Sequence, residues 1–464
     1  MNYKGVDTKM NTNLKQIIFP ERKFWKNVFG FAIPIALQNL SVALFGIIDT
    51  SVISNMGEEA VSAVSLANQV FYVASLITFG ITSGASVLLS RYYGAKEPGE
   101  FRKAFTIMTL LSLIVNAFVT AASFGLPNQL LALYTDEKVL IEAGAIFLII
   151  TAPMNLFYAV SNSMSAFFRA VQKPSVPMAV SFITVVVKTG LNFAFIYGMG
   201  PIPAMGIAGA AIATLAAKIA ELLAYLYFYI RFKEKEYRFR ACDLQAFAKP
   251  DVFVFLKDTA PVIVNESMWG LGISLFNAVF GRMGVTAVTT FSVARQLENL
   301  GNTFFYGIGI GACVTISSLI GQQKFEEAKL TAKRYALVGF EVGVFIMFLM
   351  LGINNIYVDT FFTELTPETC STAKVLNAVI AVYMPFRSLA SALIMGVLRA
   401  GGDSKHAMYY DVIPVYAWAL AVGFLLGVVW DLPSVIVLAI MQFKRVIKCA
   451  FALRRLWSDK WLSD

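Results

Sequence analysis

The sequence predicts an all-helical, polytopic membrane protein with twelve spanning helices arranged as two six-helix lobes, and three observations carry that expectation. Hydrophobic residues make up 58% of the 464 positions and charged residues 14%, against about a quarter charged in a soluble domain. Apolar runs of about 20 residues, long enough to cross a bilayer, recur from end to end. The second half of the chain also repeats the first in register.

The candidate spans fall at 27–53, 60–90, 105–126, 140–165, 176–199, 206–230, 256–281, 287–318, 334–356, 372–398, 407–430 and 433–456. Ahead of them lies a polar, basic segment, 1–26, which runs into a full-length helix without the short apolar core of a cleavable signal peptide. A basic stretch at 231–255 joins the lobes, 27–230 and 256–456. It is expected as a linker with a short amphipathic helix on the membrane surface, and 457–464 is a tail. If the N-terminus is cytoplasmic, 31 of the 38 Lys and Arg residues fall on the inside, three (Lys138, Arg282 and Lys374) outside, and Lys188, Lys218, Arg295 and Arg387 within spans. That asymmetry is the positive-inside rule. It places both termini in the cytoplasm, suits a cell inner membrane, and accounts for the basic excess without a nucleic-acid partner. The four cysteines, Cys242, Cys313, Cys370 and Cys449, have neither disulfide nor metal-ligand spacing.

Sliding the chain by 227 residues lays 34–94 over 261–321 with 17 of 61 positions identical. Pro34 meets Pro261, Met56–Gly57 meets Met283–Gly284, and Gly80, Gly84 and Gly94 meet Gly307, Gly311 and Gly321. Farther on, "FFRAVQKP" at 167–174 aligns with "VLRAGGDS" at 397–404 at an offset of 230. Six spans per repeat is an even number, so both halves enter the membrane from the same side. Such parallel repeats are a common plan of secondary transporters, with substrate bound between the lobes. The paired glycines fit close helix packing. "GVLRAGGDSK" lacks P-loop spacing and reads as a tight turn.

Several separated motifs resemble the multidrug and toxic compound extrusion (MATE) family. They are "FAIPIALQNLSVALFGIIDTSVISNMGEEAVSAVSLANQ", "ITFGITSGASVLLSRYYGAKE", "LNFAFIYG", "MGIAGAAIAT" and "GVLRAGGDSK". The resemblance spans nearly the whole chain. It implies twelve helices in two lobes, and export of organic, often cationic compounds driven by inward flow of protons or sodium. It also gives Asp49 and Glu266 as the acids of the first and seventh helices. Where many members carry an acid in the tenth helix, this chain has Ser388. Where the fifth helix usually carries a polar or acidic pair, it has Lys188 and Asn192.

An ionised acid in hydrocarbon costs about 3 kcal/mol or more, so intramembrane charges face protein or water and mark function by default. Asp49, Lys188 and Asn192 are the candidate ion-coupling group. Asp49 would change protonation during the cycle, and Lys188 is its expected partner. Gln38, Glu266, Arg295, Glu298 and Arg387 are candidates for the substrate cavity. Arg295 and Glu298, three apart on one helix face, are expected to pair with each other, whereas Arg387 has Glu266 or Asp411 as alternative partners. A lysine among the coupling groups favours protons over sodium, which needs several converging oxygens.

No nucleophile, metal cluster or carboxylate dyad accompanies the single histidine, His406, so catalysis is not expected and no cofactor is called for. The expected partners are a small organic substrate and the lipid bilayer, with the protein a monomer. A lipid-linked oligosaccharide flippase of the same wider superfamily is the rival transport reading, kept open by Lys188, Arg295 and Arg387.

Overall fold

A computed structural model describes residues 17, 20–54, 56–198, 203–246, 249–362 and 366–462; within these, some side chains, including those of residues 47–51, lie outside the description. The described chain is helical throughout, as a bilayer demands: hydrocarbon offers no hydrogen bonds, so each span must satisfy its own backbone. Six helices form the first repeat: α1 (Arg22–Ser54), α2 (Glu58–Ala95), α3 (Pro98–Gly125), α4 (Lys138–Thr151 and Met154–Ala170), α5 (Ser175–Tyr197) and α6 (Gly206–Ile230). The second holds α7 (Lys249–Arg282), α8 (Val285–Gly321), α9 (Phe325–Phe361), α10 (Pro367–Val382 and Met384–Leu398), α11 (Ser404–Val429) and α12 (Ser434–Gln442 and Lys444–Trp457).

Among the described residues, eight of these helices are long and apolar enough to span alone. The bent pairs of α4 (51°) and α10 (43°) bring the number to ten, and α1 and α12 complete the expected twelve. Both bends sit at prolines, Pro153 and Pro385, which cannot donate a backbone hydrogen bond. Beyond its bend α10 becomes π-helical over Ser391–Leu398. The helix α11 does so over Pro414–Leu420 and Leu425–Val429, a widening that often marks functional segments.

The repeat is visible in the backbone. Gly57 and Gly284, 227 apart, have φ of 99° and 106°. Lys96 and Gln323, at the same offset, both have 60°, and Gln172 and Gly402, 230 apart, have 60° and 89°. The turns of the two halves therefore recur at the offsets seen in the sequence.

The chain forms two compact units, residues 37–266 and residues 1–36 with 267–464. The division runs inside α1 and α7, whereas the repeat boundaries assign each helix whole to one half. In the first unit Gly80 and Gly84 on α2 face the start of α7, where an added Cβ would lie 2.8 Å from the Ile263 Cα and 3.0 Å from the Thr259 Cβ. In the second, Gly307 and Gly311 on α8 face the start of α1, at 2.7 Å from the Ala32 carbonyl oxygen and 2.9 Å from the Phe31 Cβ. The repeated glycines are thus contact points that let backbones approach, the expected means of helix association where burial from water is no driving force.

The linker does not form the expected amphipathic helix. It makes two short 3₁₀ turns, Lys235–Tyr237 and Ala241–Ala246, and α7 already begins at Lys249. Within it Tyr237 is buried against Tyr93 and Phe101, with ring centroids 5.1 and 5.2 Å away, whereas Phe239 and Leu244 are exposed. Arg102 on α3 clamps the stretch, its Nε donating to Asp243 at 3.1 Å and its Nη1 to the Glu236 carbonyl at 2.6 Å. The tail of the second repeat docks in a related way. Lys329, which is Arg102 shifted by 227, meets Asp459 at 3.3 Å, and Trp461 is fully buried against Gly401. Asp403 in the α10–α11 turn accepts from Arg455 Nε at 2.6 Å and lies 2.6 Å from His406 Nδ1.

Replacing Gly307 by alanine should force the α1 backbone away and destabilise the fold by about 1–3 kcal/mol. Its melting midpoint in neutral detergent is expected to drop by several degrees. Gly281→Ala, where an added Cβ meets nothing within 4 Å, should leave the midpoint unchanged; equal effects would show that the glycine contact carries no special weight.

Candidate transport site

The second unit encloses a cleft with about 680 Å³ of empty space, its solvent-open part included, lined by five helices. The helix α7 supplies Trp269, Ile273 and Phe276, while α8 supplies Phe291, Arg295, Glu298, Asn299 and Asn302. From α10 comes Arg387 and from α11 Val415. The last helix, α12, contributes Leu438, Met441, Gln442, Lys444, Arg445 and Lys448.

The charges are placed by helical period. Arg295, Glu298 and Asn302 fall at i, i+3 and i+7 on α8 and so share a face. Lys444, Arg445 and Lys448 occupy the first turns of the second half of α12, after the break at Phe443. Arg295 and Glu298 are not the expected pair. Glu298 instead accepts from Arg445 Nη2 at 2.5 Å, an interhelical bond whose Arg445 side chain is only 4% exposed. Lys448, also 4% exposed, bonds Asp411 of α11 at 2.5 Å, which removes Asp411 as the partner of Arg387. The Arg387 Nε donates to the Asn302 Oδ1 at 3.3 Å. Arg295 lies over the Phe291 ring, 5.9 Å from its centroid, and the Lys444 ammonium 3.7 Å from that of Phe276. An arginine reaching another helix gains a full charge pair, whereas an i, i+3 pair on one surface is worth only about 0.2–0.5 kcal/mol.

Of the residues expected at a substrate cavity, the structure brings Arg295, Glu298 and Arg387 together. Gln38 and Glu266 belong to the other unit and are not among the residues lining this cleft; Glu266 is 8% exposed. Ser388 does not face the cleft either. It is buried against Gly343 of α9, where an added glycine Cβ would lie 3.0 Å from the Ser388 Cβ. In the first unit Lys188 and Asn192 are buried one turn apart on α5, in a stripe with Val180 and Thr184. Asp49 lies in α1, but its side chain falls outside the described residues.

Sequence reading missed Lys444, Arg445 and Lys448 as site residues, because their number made the end of the last span look like a basic tail. Their spacing, i, i+1 and i+4 inside a run otherwise long enough to span, was the available signal. Three cations there break the apolar rule that defines a span.

A multi-pass bundle of two repeated helical units, with a charged cleft walled by five helices, defines a membrane transporter. Comparison with known proteins agrees. The profile of the MatE family matches residues 34–194 and again 261–425, two segments starting 227 residues apart. The chain is 22% identical over 423 residues to an uncharacterized transporter, YisQ, of Bacillus subtilis (strain 168), covering 89% of this chain and 91% of that one. It is also 22% identical over 443 residues to a probable multidrug resistance protein, NorM, of Thermotoga maritima, covering 94% and 93%. Among solved structures, a MATE in complex with MaL6 superposes with a TM-score of 0.83 at 15% identity, covering 96% of this chain and 98% of that one. An outward-facing multidrug resistance MATE transporter of the MOP superfamily gives 0.81 at 16%, covering 94% and 96%. This chain belongs to the MATE family of transporters.

The Glu298–Arg445 pair gives a direct test. Arg445→Met leaves a carboxylate buried without its partner and should cost about 3–5 kcal/mol, whereas Arg445→Met with Glu298→Met should recover most of that loss. Thermal unfolding in detergent measures both, and a double variant no more stable than the single would contradict the pairing.

Proposed function

We propose that this protein is a secondary active exporter of organic compounds, driven by inward flow of cations, with protons favoured over sodium. The observation that carries this reading is a charged cleft inside one of two repeated membrane units. Export is further supported by the relatives named as multidrug resistance proteins. Alternating access would expose substrate first to one side and then to the other, as in transporters built from parallel repeats.

In this reading Asp49, Lys188 and Asn192 couple transport to the ion. Lys188 and Asn192 are buried in the stripe of α5, and an ammonium there disfavours a sodium ion more than a proton. The protein works as a monomer without a resident cofactor, in a cell inner membrane with both termini cytoplasmic. The charge bias supports that orientation even when the cleft residues Lys444, Arg445 and Lys448 are set aside from the 31 inside cations, which leaves 28 (31 − 3) against three outside.

The rival flippase reading is favoured by one observation. Five cations, Arg295, Arg387, Lys444, Arg445 and Lys448, face the cleft with Glu298, and Asp411 answers Lys448, which suits a pyrophosphate head group. It predicts translocation of a labelled phospholipid-like donor in place of dyes.

Reconstituted vesicles carrying fluorescent dyes of either charge test the coupling. Under an imposed proton gradient, Asp49→Asn should lose at least about tenfold in export rate (roughly 1.4 kcal/mol in barrier) while the folded protein still binds dye. Unchanged export would remove Asp49 from the coupling role. Replacing sodium by potassium at fixed pH and voltage should leave the wild-type rate within about twofold, under 0.5 kcal/mol; arrest would reverse the choice of ion.

A further inference from the structure

The cleft of the second unit has more positive charge than its acids answer. Of its five cations, Arg445 is paired with Glu298 and Lys448 with Asp411. Arg295, Arg387 and Lys444 have no carboxylate within 4.0 Å among the described residues; their recorded contacts are a ring, an amide oxygen and a ring. Five basic side chains meet two acids, which leaves three without a carboxylate partner. All three are half-buried, and cation–π contacts return only about 0.5–2 kcal/mol each.

The fold itself does not demand these charges. Shifted by 227, Arg295 falls on Asn68 and Glu298 on Phe71. Shifted by 230, Arg387 falls on Phe157 and Lys444 on Thr214. The first repeat builds the same helices with neutral residues at all four places, so forming the helices does not require Arg295, Arg387 or Lys444.

Two details bear on what these charges do. The Arg445 side chain is 4% exposed, yet its Nε and Nη1 have no hydrogen-bond partner among the described residues. The buried guanidinium thus retains donors for an acceptor that the protein does not supply. The wall beside the charges is apolar, formed by Trp269, Ile273, Phe276 and Leu438. We infer that this cleft binds the anionic group, a phosphate or carboxylate, of an amphipathic molecule, with Arg295, Arg387 and Lys444 facing the anion and the α7 side chains facing the apolar body. The inference rests on the transport reading, in that the bound molecule would be the substrate class of this site. Arginine and lysine are the usual recognition groups for both anions.

The test is a binding measurement on the full chain in neutral detergent, with no gradient imposed. The probes are octyl phosphate, octanoate and octyltrimethylammonium, followed by titration calorimetry. Octyl phosphate should bind at least about tenfold more tightly than the ammonium. Arg387→Gln and Lys444→Gln should each weaken it at least about fivefold, as expected for loss of a charge-assisted hydrogen bond. Arg387→Lys should retain most of the affinity and guards against misfolding as the cause. Lys374→Gln, at a salt bridge to Asp359 away from the cleft, should bind as wild type does.

Competition separates the two sources of such a group. Displacement of octyl phosphate by phosphatidylglycerol, but not by phosphatidylcholine, makes the ligand a lipid head group; no displacement makes it a soluble organic anion. Either outcome supports the anion site. The inference is overturned if the ammonium binds as tightly as the phosphate, or if phosphate binding is unchanged in both glutamine variants. Asp49→Asn should bind octyl phosphate normally, so a failure of proton coupling would leave this result standing. A cleft without anion preference would in turn leave proton-driven export untouched.

Discussion

A charge held among membrane helices must be answered by another helix or by something bound, because hydrocarbon cannot hydrate it. In the second unit that constraint links α8 to α12 through Glu298 and Arg445, and α11 to α12 through Asp411 and Lys448. The last helix carries Lys444, Arg445 and Lys448 in its span and is tied to the bundle by these two bonds. Its break at Phe443 starts a new turn just where the three cations begin. The same pairs use both nearby carboxylates, so among the described residues Arg295, Arg387 and Lys444 meet only an amide oxygen and two rings.

Packing follows from a second consequence of the lipid solvent. Burial of apolar surface does little to join helices that lipid already solvates, so close approach of backbones has to do it. Gly80, Gly84, Gly307 and Gly311 mark these approaches, and each pair faces the opening segment of the helix that begins the other repeat. The units consequently divide within α1 and α7. The linker and the tail repeat one another as well, each drawn to the start of the third helix of its half by a basic residue, Arg102 or Lys329.

The two repeats thus share a scaffold and differ in charge. The first keeps a buried lysine and asparagine on α5, and the second concentrates seven charged groups around one cleft. The π-helical stretches of α10 and α11 occur only in the second half among the described residues, and Val415, in the first π-helical stretch of α11, lines the cleft.

Periodicity and composition alone determined the helical class, the spans and the parallel repeat, because hydrocarbon imposes a length and an apolar content that any sequence must display. The repeat also located the close-packed glycines, since a missing side chain at matched positions has few other uses in a span. Arg295, Glu298 and Arg387 were legible as intramembrane charges, but their partners were not. Which residue a charge meets depends on how helices far apart in sequence are rotated and packed, and only the tertiary structure set Arg445 against Glu298 rather than Arg295. The packing of the linker's Tyr237 against Tyr93 and Phe101 was decided in the same way, by contacts that have no local signature.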